Sequence, residues 1–317
     1  MAQLLALLAS VLASLAIYLS VFAWVHKPLT TDVIDQVMSA KQALGAQQQG
    51  PRLFVMAGSN GSFSHRCEAL QPLIGRPCVN LSVVAGISLD YLFLRYGELF
   101  RAGDALYLPL EYEQYTVQRD AALSGPENAL IYRRGPSLWR SMDPLRVLHA
   151  AGHFDLSFLI QGLAEMALDR LKVQRRFGVE TLNAHGDESG HTPSKGEPYR
   201  PFIEAMNWRP PTADWLAYPS YGKERLAVNI AALRAAGITI IGGLPTVFDA
   251  PTLDNAVVEM LSAYYRSLGA DFIALDNRSQ YPRDCFYDSP YHLHEDCQRR
   301  HSALLAPSLI PLLTKPP

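Results

Sequence analysis

The stretch Arg52–His65, RLFVMAGSNGSFSH, decides the fold class of this chain. Leu53, Phe54, Val55, Met56 and Ala57 have strand character, and Gly58-Ser59-Asn60-Gly61 is too small and polar to continue the strand. A buried strand that stops abruptly at such a turn leaves one hydroxyl at the sheet edge, the geometry of a nucleophile elbow. Ser59 is the candidate hydroxyl. Chemistry there also needs a base, an acid that orients the base, and donors for an oxyanion.

Working outward, Val79–Val84 (VNLSVV) reads as a second strand turning at Ala85-Gly86. Ser88–Phe100 reads as a helix with Leu89, Leu92, Phe93, Tyr96 and Leu99 on one face, and Ala105–Leu110 as a third strand ending at Glu111-Tyr112. Alternating strands and helices predict an α/β fold: a three-layer, flavodoxin-like arrangement around a mainly parallel sheet, with the elbow, the Ala85-Gly86 turn and Glu111 on one carboxyl edge. The pattern resumes with a helix at Tyr221–Ala236, strands at Ile238–Ile241 and Phe272–Leu275, and helices at Thr252–Leu268 and His294–Leu313. Between them, residues 116–220 read as an insertion, with a long amphipathic run from Phe154 to Phe177 and a polar stretch from Asn183 to Pro201. It is either a lid or substrate wall, or a helical decoration with a long surface loop.

The first 28 residues stand apart. Leu4–Val25 is an uncharged apolar run ending at His26-Lys27-Pro28, long enough to cross a bilayer as a helix of about 20 residues. A cleaved signal peptide has a shorter apolar region preceded by basic residues, so an uncleaved single-pass anchor is the expectation. Residues 29–317 then form one elaborated domain. The four cysteines fall into two close pairs, Cys67 with Cys78 and Cys285 with Cys297, without zinc or redox spacing. Two short disulfide loops would place that domain outside the cytoplasmic membrane, in a periplasm; four free buried thiols are the other reading. A net charge of -2 and no long basic run give no reason to expect nucleic acid.

A second constellation lies in CFYDSPYHLHEDC, Cys285–Cys297. Asp288 and His292 could supply the orienting acid and the base, on a loop that a Cys285–Cys297 bridge would close. The plainer readings are a turn-forming Asp before Ser-Pro and a histidine at a helix start.

Taken together, Ala57-Gly58-Ser59-Asn60, then Val79-Asn80-Leu81-Ser82 through Gly86, and lastly Phe286–Leu293 resemble the SGNH (GDSL-like) hydrolase superfamily. The likeness is strongest to its membrane-anchored, DltD-like branch of exopolysaccharide and cell-envelope acylation. The resemblance implies Ser59 as nucleophile, His292 as base, Asp288 as its orienter, and the N–H groups of Ser59 and Gly86 as oxyanion donors. It implies an O-acyltransferase or esterase acting on a cell-surface polysaccharide through an acyl-enzyme, with acetyl as the expected acyl group, no cofactor, and an integral-membrane O-acyltransferase as partner. Three departures stand out: Gly58 replaces the usual Asp, three residues rather than two separate Asp288 from His292, and Pro109-Leu110-Glu111-Tyr112 lacks the usual oxyanion Asn.

Asn60 or Asn80 could replace that Asn, although Asn60 could equally cap the following turn. Glu111 is a candidate substrate contact, but a solvated edge shared with Glu113 is the more ordinary account. His185, Asp187 and His191, or His294, Asp296 and His301, lack any recognised metal-ligand spacing, so no metal is expected. Trp208, Trp215, Tyr218 and Tyr221 could stack on sugar rings or simply fill a core. The departures also admit a non-catalytic accessory that binds polysaccharide or organises a biosynthetic complex.

Overall fold

In a computed structural model, residues 1–134, 136–140, 142–172 and 177–314 are described; residues 173–176 of the expected Phe154–Phe177 run lie outside them. The strands are β1 (Leu53–Val55), β2 (Cys78–Asn80), β3 (Ala105–Leu108), β4 (Thr239–Gly243), β5 (Val247–Phe248), β6 (Asp271–Ile273) and β7 (Gln280–Tyr281). Five of them form one parallel sheet in the order β2-β1-β3-β4-β6, while β5 and β7 pair separately, also in parallel. The strand order reverses between β1 and β3, and the crevice outside the carboxyl ends at such a reversal is where ligands bind in open α/β sheets. Ser59 follows β1 and Glu111 follows β3, so both candidates flank that point.

Alternation along the strands sends Leu53, Val55, Ala105, Tyr107, Ile241 and Ile273 to one face, where they pack against Leu70 and against Leu305 and Leu309 of the Glu295–Leu313 helix. From the other face Phe54 meets Phe100 edge-on at 5.4 Å, and the Tyr265 ring of the Asn255–Ser267 helix occupies the space a Cβ on Gly242 would need. Strands β1, β2, β3 and β6 are each shorter than expected. β3 ends at Leu108 because Pro109 has no N–H to continue the ladder. β2 ends at Asn80 because its side chain takes the N–H of Ser82, even though the Leu81 and Val83 N–H groups still reach Val55 and Ala57.

The chain divides into two compact units. The larger, Val37–Ala122 with Val179–Pro317, holds both sheets and every candidate site residue. The smaller, Met1–Gln36 with Leu123–Gly178, holds the Ala2–Trp24 helix, 23 uncharged residues whose most apolar 18-residue stretch has a mean hydropathy of 2.4 and no buried residue. At 1.5 Å per residue it spans about 35 Å, enough for the roughly 30 Å hydrocarbon core of a bilayer. Residues 116–220 are thus shared between the units. Both expected disulfides form, Cys67–Cys78 and Cys285–Cys297.

Candidate active site

β1 ends in a turn that is held from below by a carboxylate. The Glu111 oxygens accept the N–H groups of Gly58 at 2.9 Å and Asn60 at 2.7 Å, and its own N–H donates to Gln114 Oε1 at 3.1 Å. The expected solvated edge holds for Glu113 but not for Glu111, which is 1% exposed, because two N–H donors turned away from water require an acceptor there. Burial pushes the Glu111 carboxyl above its usual range, opposed by these N–H bonds and by the nearby His292. Gly58 is obligatory: a Cβ would lie 2.5 Å from Glu111 Oε1 and 2.6 Å from the Ala85 Cα. Gly61 is equally constrained, with Ser82 Cβ 2.6 Å from where its own Cβ would stand.

Glu111 takes the N–H on either side of Ser59. Among the described residues, the Ser59 and Gly86 N–H groups have no acceptor, and the Ala85-Gly86 turn abuts Gly58. Both N–H groups therefore remain available as donors. Asn60 and Asn80 are not available as a third. Asn60 is fully buried and its amide nitrogen donates to Thr246 Oγ1 at 2.8 Å and to the Tyr291 carbonyl at 2.9 Å. Asn80 donates to the carbonyls of Gly61 and His65 and accepts from Ser82. Both amides stitch the backbone together, since a buried carbonyl or N–H without a partner is costly.

The loop of Asp288 and His292 is a short hairpin fixed at its base. The Cys285–Cys297 disulfide closes it, Phe286 bridges Leu293, and Tyr287 N–H donates to the His292 carbonyl at 2.8 Å. At its tip, His292 Nδ1 and Asp288 Oδ1 lie 2.6 Å apart, which leaves Nε2 as the ring nitrogen free for chemistry. Phe63 stacks flat on the His292 ring, centroids 4.3 Å apart. Ser59 and Phe63 are four residues apart in the Ser59–Ser64 helix, so His292 stacks on the helix that begins at the candidate serine. Among the described residues no hydrogen bond joins Ser59 to His292. Side-chain exposures of 15% for His292 and 33% for Asp288 leave the pair open to an incoming hydroxyl.

The Tyr291 carbonyl ties the two pieces together. It accepts from Asn60, from Ser64 Oγ at 2.8 Å and from Thr246 Oγ1 at 3.3 Å. Its ring faces the other way, into a pocket of about 380 Å³ lined by Trp208, Arg209, Trp215, Pro290 and Glu113, where the Tyr291 hydroxyl donates to Glu113. Of the four aromatic candidates, Trp208 and Trp215 reach this pocket; Tyr218 is exposed and Tyr221 hydrogen bonds Asp90.

The histidine-rich stretch does other work. Asp187 caps the Cys67–Ile74 helix, accepting N–H from Cys67 at 2.7 Å and Glu68 at 2.9 Å. His191 is buried edge-on to Phe63 and near Tyr287; burial drives its pKa down to about 3, so it is neutral. Cys285, His294 and Cys297 converge, but both sulfurs belong to the disulfide and cannot serve as thiolate ligands. His301 hydrogen bonds Tyr281 and His65 inside the core.

Sequence reasoning missed four supporting residues. Thr246 follows the Gly242-Gly243-Leu244-Pro245 break, and a polar residue just past a strand's carboxyl end was the available signal. Phe63 is one turn beyond the nucleophile. Lys41 is wholly buried and donates to the Ser82 carbonyl at 2.6 Å, with burial lowering its pKa to about 8; nothing in its amphipathic helix marks it. Ser82 in turn accepts the Ala57 N–H at 3.0 Å, fixing the last residue before the turn. Compared with known protein families and with characterised proteins, the sequence matches none.

Proposed function

We propose that this chain is a membrane-anchored serine O-acyltransferase or esterase of the SGNH type, with a three-layer catalytic domain, acting on a cell-surface polysaccharide. The observation that carries the reading is the Asp288–His292 pair at 2.6 Å, stacked through Phe63 onto the helix that begins with Ser59. His292 Nε2 takes the Ser59 proton as Oγ attacks an acyl carbonyl, and Asp288 stabilises the imidazolium. The Ser59 and Gly86 N–H groups receive the oxyanion. The tetrahedral intermediate collapses to an acyl-serine, expelling the donor's alcohol or thiol with the proton from His292. A sugar hydroxyl, or water, then repeats the cycle in reverse. The pocket at Trp208, Trp215 and Tyr291 adjoins His292 in sequence and offers aromatic faces and polar rims suited to an acceptor sugar.

Two disulfides support an oxidising compartment, and with the apolar N-terminal helix they support a periplasmic domain anchored in the cytoplasmic membrane. An integral-membrane O-acyltransferase is the proposed acyl donor partner. The test is hydrolysis of acetylated model sugars by the wild type and by Ser59→Ala: the variant should fold and lose activity, and full retention of activity would refute the reading. A second reading, a non-catalytic polysaccharide-binding accessory, is favoured by one observation: Asn60 and Asn80 are both occupied elsewhere, which leaves the oxyanion two donors.

A further inference from the structure

The Leu156–Arg170 helix of the smaller unit is apolar on the side it turns to solvent. Leu156, Ile160, Leu163 and Leu171 recur at four, three and eight residues, the spacing of one helical stripe, and are 69%, 59%, 44% and 74% exposed. Leu145 and Leu148, on the preceding Pro144–Gly152 helix, are 66% and 68% exposed. A water-soluble helix keeps its apolar stripe inward; here Phe158 and Leu159 pack inward and a second set of leucines faces out.

The opposite side of this helix is fastened to the exit of the Ala2–Trp24 helix. Gly162 meets Val25 and lies against the His26 carbonyl, so closely that a Cβ would collide with the Val25 side chain. Lys27 Nζ donates to Gln161 at 2.6 Å and lies over the Phe158 ring. Glu165 accepts the N–H groups of Leu29 and Thr30 and the Thr30 hydroxyl. Phe22 stacks on Phe154 at 4.9 Å, and the Tyr18 hydroxyl donates to the Phe154 carbonyl. The outward leucines are therefore held at the level where the apolar N-terminal helix ends.

We infer that this face lies on the bilayer, as an interfacial helix beside the membrane-spanning one. Lipid is the occupant that the placement favours: a hydrocarbon boundary must exist where the uncharged helix stops, and amphipathic helices at that depth bury their apolar side among headgroups and upper acyl chains. The inference rests on the membrane reading of Ala2–Trp24 and is independent of the proposed chemistry.

The test uses the full chain in phosphatidylethanolamine–phosphatidylglycerol nanodiscs. Among the described residues all cysteines are in disulfides, so a nitroxide attaches only to an introduced thiol. Labels go on Ile160→Cys and Leu171→Cys, with Leu12→Cys as the spanning reference and the exposed Glu259→Cys as the aqueous one. The expected result is high oxygen and low nickel-chelate collision rates at positions 160, 171 and 12, and the reverse at 259. Free access of the chelate at 160 and 171 would overturn the inference, and so would exclusion of both reagents there, which marks packing against protein, such as a second copy. A water-accessible label at position 12 would instead overturn the membrane reading on which it rests.

Discussion

The turn that carries Ser59 and the loop that carries Asp288 and His292 are held by different physics. The turn is buried on its inner side and fixed by packing: two glycines in contact with Ala85 and Ser82, and a carboxylate clasping two backbone N–H groups. The loop is partly open to solvent and fixed by cross-links: a disulfide across its base and three hydrogen bonds to the Tyr291 carbonyl. A nucleophile needs a single geometry, whereas a base must release its proton and admit an acceptor. The turn should therefore fail when atoms are added to it, and the loop when its links are cut.

The largest effect should come from adding one carbon to the turn. Gly61→Ala forces a Cβ onto Ser82, with backbone and side chain both confined, and should cost about 4 kcal/mol in chemical denaturation. Cutting the loop's base comes next. Cys285→Ser with Cys297→Ser opens a loop of sequence separation 12, for roughly 3 kcal/mol, and should lower kcat more than it disturbs the sheet's far-ultraviolet signal. If kcat survives intact, the hydrogen bonds at Tyr291 suffice without the disulfide.

Glu111→Gln tests the clasp with almost no change of shape. Its amide can accept only one of the two N–H groups and sets a donor against the other, which should cost about 2 kcal/mol and reduce kcat on the order of tenfold. The pH dependence carries a distinctive sign. Because burial raises the folded-state pKa of Glu111, the charged form is the costly one. That cost is present above the folded pKa and is relieved as pH falls through it toward the unfolded value. Activity should fall over the same interval, since a protonated carboxyl no longer accepts both N–H groups. Glu111→Gln should abolish this opposition of stability and activity. The smallest effect is expected for Thr246→Val, which removes hydrogen bonds to Asn60 and Tyr291 at a cost of about 1 kcal/mol and a modest loss of kcat.

What the sequence made legible follows the same division. Strand character broken by Gly-Ser-Asn-Gly is a local signal, and so are an Asp and a His four residues apart between two cysteines; the structure pairs that Asp with that His and stacks the His on Phe63 of the turn's helix. The partners that position them were not legible. Glu111 beside Glu113 in sequence gives no hint that one is clasped under the turn and the other exposed, because that depends on where the parallel sheet reverses its strand order. Asn60 read as an oxyanion donor because its amide stands next to the nucleophile, but the helix points that amide at Thr246, 186 residues away in sequence. The charge-free run of Leu4–Val25 announced itself, whereas the outward leucines of Leu156–Arg170 read as an ordinary amphipathic helix until its neighbours were known.

The central claim is that His292 and Asp288 activate Ser59. Its most direct measurement is stoichiometric labelling of the full-length protein with a fluorophosphonate, located by peptide mass spectrometry, for the wild type and for His292→Ala. The account predicts one adduct, on Ser59, at a rate that collapses in the variant. Folded wild-type protein that takes up no label, or labelling of Ser59 that proceeds equally without His292, would contradict it.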